Sequence, residues 1–96
     1  MRENNILFNI KTSYSRFTKA EKKVADFVIS SPEKVLFMSI SDVADECGVA
    51  EASVYRFCRT MKAKGYQEFK MHLSFCLWQG DLRNPSDQNI KAVNDS

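Results

Sequence analysis

The 96-residue chain is poor in the residues that build disulfide frameworks and metal sites, with three cysteines and one histidine. Cys47, Cys58 and Cys76 are odd in number and show no CxxC spacing, and His72 has no partner ligand at metal spacing. We therefore expect neither a disulfide scaffold nor a zinc site. Free cysteines without a signal peptide favour a reducing, cytoplasmic setting.

Long apolar runs and enzyme motifs are also missing from the sequence. The longest apolar stretch, residues 75–78, is far too short to span a bilayer. There is no glycine-rich phosphate loop and no nucleophile elbow, and the histidine has no plausible Ser or Cys pairing. The acidic residues between 42 and 46 fall on the exposed side of a short predicted helix. We expect no enzyme activity, no cofactor and no membrane partner.

What the sequence does contain is apolar spacing typical of helices, without sustained two-residue alternation or a hairpin dipeptide. A hydrophobic fraction of 44% with seven Phe suffices for one small core. The sequence therefore predicts an all-α fold, a helical bundle of about five helices with a homeodomain-like helix-turn-helix. Helical segments are predicted over about residues 5–14, 18–30, 31–38, 39–48, 51–61 and 66–78.

Local signals set several of these boundaries. Thr18 with Glu21, and Ser39 with Asp42, have the spacing of capping boxes that begin helices. The Ser31-Pro32 pair ends the preceding helix, because proline disfavours the α conformation in the residue before it. Ser31 is also predicted to cap the short helix that follows.

The stretch from Ile40 to Arg59, ISDVADECGVAEASVYRFCR, has the spacing of a helix-turn-helix. A small residue, Ala44, falls where the second helix crosses closely. A glycine, Gly48, falls in the turn, where the backbone needs a positive φ and a Cβ would clash. The apolar positions that join the two helices are Val43, Cys47, Val49, Val54 and Phe57.

The second helix of such a motif presents its first turns to base edges in the DNA major groove, while neighbouring basic and hydroxyl groups hold phosphates. Arg56 is the strongest candidate for base readout, because its planar fork matches the O6 and N7 acceptors of guanine. Glu51 suits cytosine N4, although an acid at a helix start is equally explained by the helix dipole. The predicted DNA-binding residues are Glu51, Ala52, Ser53, Tyr55, Arg56, Arg59, Lys62 and Lys64.

Charge is distributed unevenly around this helix, although the net charge is only +2. Residues 41–52 carry four acids and no base, whereas residues 53–72 carry five Lys or Arg and one Glu, a balance of +4. This asymmetry favours a side that faces phosphates, with Lys62, Lys64 and Lys70 supplying non-specific attraction. Two interpretations stay open for the lysines at 19, 22 and 23: contact with flanking phosphates or, as we favour, exposure to solvent.

These residues resemble the N-terminal DNA-binding domain of the RpiR family of bacterial transcription regulators. The resemblance runs from about Phe17 to Leu73 and includes FTKAEKKVADFVISSPEKVLFMSISDVADECGVAEASVYRFCR followed by KGYQEFK. It implies an all-helical domain that binds operator DNA as a homodimer, on a near-palindromic site of double-stranded DNA. In the family, a C-terminal sugar isomerase (SIS) domain senses a phosphorylated sugar, and the regulated genes usually serve sugar or amino-sugar catabolism.

The resemblance also implies a division of the chain. Residues 1–78 are expected to form the DNA-binding domain, and residues 79–96 a polar linker or tail leading to a sensor domain outside this sequence. Two departures stand out: Ala50 replaces a frequent Ser, and Met61, Lys62 and Ala63 replace a frequent Leu-Gly-Phe. We call the second helix of the motif the recognition helix. The second departure predicts that this helix lacks the residue in left-handed conformation, usually a glycine, that commonly ends a helix. The alternative function is a helix-turn-helix scaffold used as a dimerisation or protein-interaction module.

Overall fold

The computed structural model describes residues 5–83 of the chain, with side chains described as far as Trp78. Within that range the protein is helical throughout, without a β-strand, so the all-α prediction is confirmed. A 3₁₀ turn over Tyr14–Arg16 connects the first two helices. The helices are α1 (Ile6–Ser13), α2 (Lys19–Ser30), α3 (Pro32–Leu36), α4 (Ile40–Cys47), α5 (Glu51–Thr60) and α6 (Tyr66–Arg83).

Two of the three predicted side-chain caps are confirmed. At α2, Glu21 N donates to Thr18 Oγ1 at 3.1 Å and Thr18 N donates to Glu21 Oε1 at 2.9 Å. At α4, Asp42 N donates to Ser39 Oγ at 3.1 Å and Ser39 N donates to Asp42 Oδ2 at 3.2 Å. Each box satisfies two backbone N–H groups at its helix start that have no intrahelical partner.

The predicted side-chain cap at Ser31 is wrong. The Ser31 hydroxyl makes no capping hydrogen bond, and the residue has φ −141° and ψ 58°, away from the extended conformation typical of a helix N-cap. The helix start is held by backbone instead, because the Ser31 carbonyl accepts from Lys34 N at 3.1 Å and from Val35 N at 3.3 Å. Pro32 stands at the first position of α3, as predicted.

The core is centred on Phe57 of α5, which is fully buried. Its ring meets the edge of Phe17 at a centroid distance of 5.3 Å and that of Phe69 at 5.6 Å. T-shaped pairs of this kind contribute about 0.5–1.5 kcal/mol each beyond the burial of their area. The recognition helix is therefore anchored to both the segment before α2 and the last helix. Other fully buried side chains are Ile10, Val24, Val28, Val35, Val43, Val54, Cys58 and Leu73.

The last helix is longer than predicted, since α6 continues past Trp78 to Arg83. The prediction ended it before Gly80, but a single glycine costs a helix only about 1 kcal/mol relative to alanine. Residues 79–83, assigned to a polar tail, are therefore helical, while the remainder of that predicted tail, residues 84–96, lies outside the described residues.

Two hydrogen-bonded side chains tie α6 to the rest of the domain. The Tyr66 hydroxyl donates toward the Met38 carbonyl oxygen at 2.6 Å, with the Val35 carbonyl oxygen at 3.2 Å. Further along, Cys76 Sγ lies 3.2 Å from Asn5 Oδ1, the oxygen that also caps α1 by accepting from Phe8 N at 3.0 Å. These bonds fix both α3 and α1 against α6, which supports the corner that α4 and α5 make.

Candidate nucleic-acid interface

Helices α4 and α5 form the predicted helix-turn-helix, and the turn between them has the predicted left-handed glycine. Gly48 has φ 70°, Gly48 N donates to Asp45 O at 3.2 Å and Val49 N donates to Ala44 O at 3.0 Å. This is the hydrogen-bond pattern of a Schellman motif. A Cβ added at Gly48 would meet no neighbouring atom within 4 Å, so the glycine is required by backbone conformation and not by crowding from other residues.

The recognition helix α5 ends in the same way, which corrects the expectation for Lys62. Lys62 has φ 70°, Lys62 N donates to Arg59 O at 2.9 Å and Ala63 N donates to Cys58 O at 3.0 Å. Both helices of the motif therefore end in Schellman motifs, one on a glycine and one on a lysine. A non-glycine residue in this conformation costs roughly 1–2 kcal/mol, and the Ala63–Cys58 bond with both residues buried offsets that cost.

Four of the predicted DNA-binding residues share the outward face of α5. Ala52, Tyr55, Arg56 and Arg59 are all exposed and are spaced i, i+3, i+4 and i+7, whereas Val54, Phe57 and Cys58 on the opposite face are buried. One face of α5 thus holds the domain together while the other presents two guanidinium groups, a phenol ring and a methyl group to solvent.

The two arginines on this face are in different states. Arg59 Nη1 donates to the Lys64 carbonyl oxygen at 3.3 Å, so its guanidinium is partly committed to the loop after α5. Arg56 makes no hydrogen bond or ion pair with the residues whose side chains the structure describes, 5–78. The structure therefore leaves all the donors of Arg56 available to an external acceptor, and those of Arg59 only in part.

Glu51 and Ser53 lie at the borders of this face. The Ser41 hydroxyl of α4 donates to Glu51 Oε2, so the Glu51 carboxylate links the first helix of the motif to the start of the second. Ser53 is half-buried. The Ser41–Glu51 bond joins residues ten apart in sequence, and no local pattern in the sequence indicated it.

The first turn of α5 has no side-chain cap. Ala50 has extended φ and ψ values of −76° and 153° but no oxygen to offer, as its identity predicts. The first backbone N–H groups of the helix therefore have no side-chain acceptor at this end. Together with the positive end of the helix dipole, they make a favourable position for a phosphate group.

The loop that follows α5 carries the remaining predicted residues, Lys62 and Lys64, and both are exposed. Lys64 N donates to Glu68 Oε1 at 2.6 Å, which anchors the loop to the first turn of α6. A Cβ built on Gly65 would lie 3.6 Å from Tyr55 Cε1, so the Tyr55 ring rests beside this loop. The ring, the loop and the end of α5 therefore form one continuous surface with two lysines on it.

The lysines around α2 and α6 are distributed differently. Lys19 and Lys23 are exposed, while Lys22 Nζ lies 5.4 Å from the centroid of the Tyr14 ring. On α6, Lys70 Nζ lies 4.9 Å from the Tyr66 centroid. Lys22 and Lys70 thus make intramolecular cation–π contacts, so the expectation that Lys22 is simply solvated is corrected, whereas Lys19 and Lys23 are exposed as expected.

Two thiols in the described part of the chain are shifted toward their protonated form. Burial raises the pKa of the Cys58 thiol to about 12, so it is a protonated core group at neutral pH. Burial, and then the charge of Glu46, raises the pKa of the Cys47 thiol. Among the side chains that the structure describes, no cluster of three or more metal-ligating groups occurs, and none of the described helices is long and apolar enough to cross a membrane.

Comparison with known proteins identifies the family of this chain. The family model described as the helix-turn-helix domain of the rpiR family matches residues 4–79. The chain belongs to the RpiR helix-turn-helix family. It is 41% identical over 85 residues to an uncharacterised HTH-type transcriptional regulator of Haemophilus influenzae, covering 88% of this chain and 30% of the relative. It is 38% identical over 76 residues to the HTH-type transcriptional regulator HexR of Escherichia coli. That match covers 79% of this chain and 26% of HexR.

Two solved structures of regulators have a similar fold. The N-terminal domain of the transcriptional regulator ybbH of Bacillus subtilis superposes with a TM-score of 0.71 at 26% identity, over 85% of this chain and 94% of that one. The Vibrio vulnificus NanR protein, complexed with ManNAc-6P, gives a TM-score of 0.76 at 36% identity, over 88% of this chain and 32% of that one. The chain thus spans less than a third of the length of the regulators HexR and NanR.

Proposed function

We propose that this RpiR-family domain binds double-stranded operator DNA in a sequence-specific manner, with α5 in the major groove. The observation that carries the proposal is the outward face of α5, where Arg56 has no partner among the described side chains and is flanked by the small side chain of Ala52. Arg56 reads a guanine through its paired donors, and Ala52 contacts a thymine methyl group. Ser53 and Arg59 complete the contact to the groove.

The remaining residues of the surface hold the DNA backbone in this proposal. Lys62 and Lys64 lie on the loop beside the Tyr55 ring, and we assign all three to phosphate or sugar contacts, which fix register without reading sequence. Glu51 is bound to Ser41, so its main contribution is to hold α4 and α5 at a fixed angle. A carboxylate held in this way favours the helix-dipole role over recognition of cytosine.

For the regulator as a whole, the proposal is a homodimer on a near-palindromic site, with two recognition helices about 34 Å apart. Its genes would serve sugar or amino-sugar catabolism, under control of a phosphorylated sugar bound by a C-terminal sensor domain. Support for the effector comes from NanR, which shares 36% identity over its matching part and was solved in complex with ManNAc-6P. The chain itself is proposed to be non-enzymatic.

Selection of bound sequences from a random duplex pool tests this function directly. A specific binder enriches a half-site, and its affinity falls steeply with salt because lysines and arginines displace counterions. Substitution Arg56→Ala is expected to cost about 1–3 kcal/mol and to relax preference at one base pair.

The matched control is Arg16→Ala, which removes an exposed arginine outside the helix-turn-helix. This control should leave the sequence preference unchanged. A flat dependence of log K on log salt contradicts DNA binding altogether. Equal weakening of Arg56→Ala on every sequence would instead assign Arg56 to phosphate.

A further inference from the structure

Three consecutive backbone N–H groups hold the loop that follows the recognition helix. Lys62 N and Ala63 N donate to carbonyl oxygens in the last turns of α5, at 2.9 and 3.0 Å. The next N–H group, that of Lys64, donates instead to a side chain of another helix, Glu68 of α6, at 2.6 Å. The loop is therefore fixed by the end of one helix and the start of the next, and the third of these bonds is the one that a side chain makes.

The carbonyl oxygen of Lys64 receives a side chain of the recognition helix. Arg59 Nη1 donates to it at 3.3 Å. Glu68 and Arg59 thus bind the two polar groups of one residue, since the carboxylate accepts from its N–H and the guanidinium donates to its C=O. Both bonds are made by the Lys64 backbone, so the lysine side chain is not needed for the connection.

A bond at Nη1 sets the direction of the Arg59 guanidinium and leaves a recognition edge open. A guanidinium has five N–H donors in a rigid planar fork. The Nε and Nη2 hydrogens lie side by side on another edge of that fork, away from the bond at Nη1. Arg59 can therefore stay bound to the loop while this pair donates to the O6 and N7 acceptors of guanine.

Arg59 needs an anchor of this kind more than Arg56 does. The residues of a recognition helix that meet base edges lie mainly in its N-terminal part, whereas Arg59 is the residue before the last one in α5. Its guanidinium must reach back toward the bases, and a long side chain without a partner loses rotamer freedom when it binds. A side chain that is already held in the free protein loses less of that freedom.

We propose that Glu68 is a positioning residue for base readout: through the Lys64 backbone it holds Arg59 in the orientation that reads a guanine. This inference rests on the proposed DNA-binding function, and it gives a residue of α6 a part in sequence preference. A purely structural role is the competing explanation, because Glu68 is the third residue of α6 and its bond to Lys64 N also supports that helix start. The two roles differ in one measurable quantity, the preference for one base pair.

Two substitutions at Glu68 of the 96-residue protein separate positioning from charge. Glu68→Gln and Glu68→Ala remove the same negative charge, but the glutamine amide oxygen can still accept from Lys64 N and alanine cannot. The measured quantity is the ratio of dissociation constants for the selected duplex and for a duplex changed at the base pair where Arg59→Ala relaxes preference. Glu68→Ala should lower this ratio at least about threefold, out of the roughly 5–150-fold that a bidentate contact provides. Glu68→Gln should stay close to wild type.

Gln67→Gly is the structural control, because it weakens the first turn of α6 without removing a group that binds Lys64. It should lower the melting temperature, as Glu68→Ala does, and leave the ratio of dissociation constants unchanged. A loss of folded protein weakens binding to both duplexes equally and so cannot change that ratio. The base pair where Arg56→Ala relaxes preference is the second control, and Glu68→Ala should leave discrimination there unchanged.

NMR relaxation of the arginine Nε–H groups gives a readout in the absence of DNA. In the free wild-type protein Arg59 should be more ordered than Arg56, and in Glu68→Ala the two should be alike. Equal order of the two arginines in wild type overturns the proposal, and so does wild-type discrimination by Glu68→Ala or an Arg59→Ala variant that relaxes no base pair. Each of these results leaves DNA binding itself intact. A wild-type protein that selects no sequence from a duplex pool overturns the proposed function and the positioning role together.

Discussion

The Thr60 hydroxyl donates a hydrogen bond to Glu21 Oε2 at 2.9 Å, joining the last turn of α5 to the first turn of α2. Glu21 is 7% exposed, and its other oxygen accepts from Thr18 N at 2.9 Å. One carboxylate therefore completes the capping box of α2 and also fixes the end of the recognition helix. It is the one charged side chain that is buried among those described.

Removing the Thr60 hydroxyl should destabilise the domain while preserving its shape. Thr60→Val keeps the β-branched form but leaves one oxygen of the buried Glu21 carboxylate without its protein donor. The expected cost is about 1–3 kcal/mol in the free energy of unfolding. Urea titration followed by circular dichroism measures it, and the melting temperature should fall by roughly 4–8 °C per kcal/mol in a domain of this size.

Thr12→Val is the matched control for that substitution. Thr12 is also an exposed helical threonine, but its hydroxyl donates to the Asn9 carbonyl oxygen at 3.1 Å, a group within its own helix. Its replacement should change stability by no more than about 0.5 kcal/mol. Equal stabilities of Thr60→Val and wild type would show that water replaces the hydroxyl at Glu21.

The features that could be predicted from sequence are those set by neighbours within a few residues. The two capping boxes depend on an i, i+3 pair, and Gly48 depends on one backbone conformation, so each leaves a local signal. The outward face of α5 followed from helical periodicity, which placed Val54 and Phe57 inward. The predicted side-chain cap at Ser31 was wrong because a residue type suited to capping must also have the extended φ and ψ of an N-cap.

Features that join distant parts of the chain left no such signal. Glu21 and Thr60 are 39 residues apart, and Ser41 and Glu51 are ten apart on different helices. Their meeting depends on the packing angle of whole helices, which sequence spacing does not record. Tyr66 is an intermediate case: a buried phenol needs a hydrogen-bond acceptor, but sequence spacing does not say that the acceptor is the Met38 carbonyl oxygen.

Alkaline pH should destabilise the domain through its buried thiol. Burial raises the pKa of Cys58 from 9.0 to about 12 and, as the main cause, that of Tyr66 from 10.0 to about 12. In each case the folded state holds its proton more tightly than the unfolded state. The resulting stability is fully present below the unfolded pKa and is lost as pH rises toward the folded one. Between pH 9 and 10, Cys58 should lower the free energy of unfolding with a slope that approaches about 1.4 kcal/mol per pH unit.

Unfolding in urea at several pH values between 9 and 10 measures this slope. Cys58→Ala should flatten it, because the titrating group is removed, whatever the variant loses in absolute stability. Cys47→Ala is the comparison: its thiol is half-buried and its pKa is also raised, so it should flatten the slope less. A Cys58→Ala slope equal to that of wild type would contradict the assignment of alkaline sensitivity to this thiol.

Lys62 should show a conflict between stability and DNA binding. Its φ of 70° is strained for a side chain with a Cβ, so Lys62→Gly should stabilise the domain by about 1 kcal/mol. If the ammonium group contacts phosphate, the same substitution should weaken DNA binding on all sequences and reduce the slope of log K against log salt by about 1.

Lys62→Gln separates the two effects, because it removes the charge and keeps the strain. We expect Lys62→Gln to match Lys62→Gly in salt slope and wild type in melting temperature. A stabilised Lys62→Gln would place the cost in the charge and not in the backbone, and an unchanged salt slope in both variants would remove Lys62 from the DNA surface.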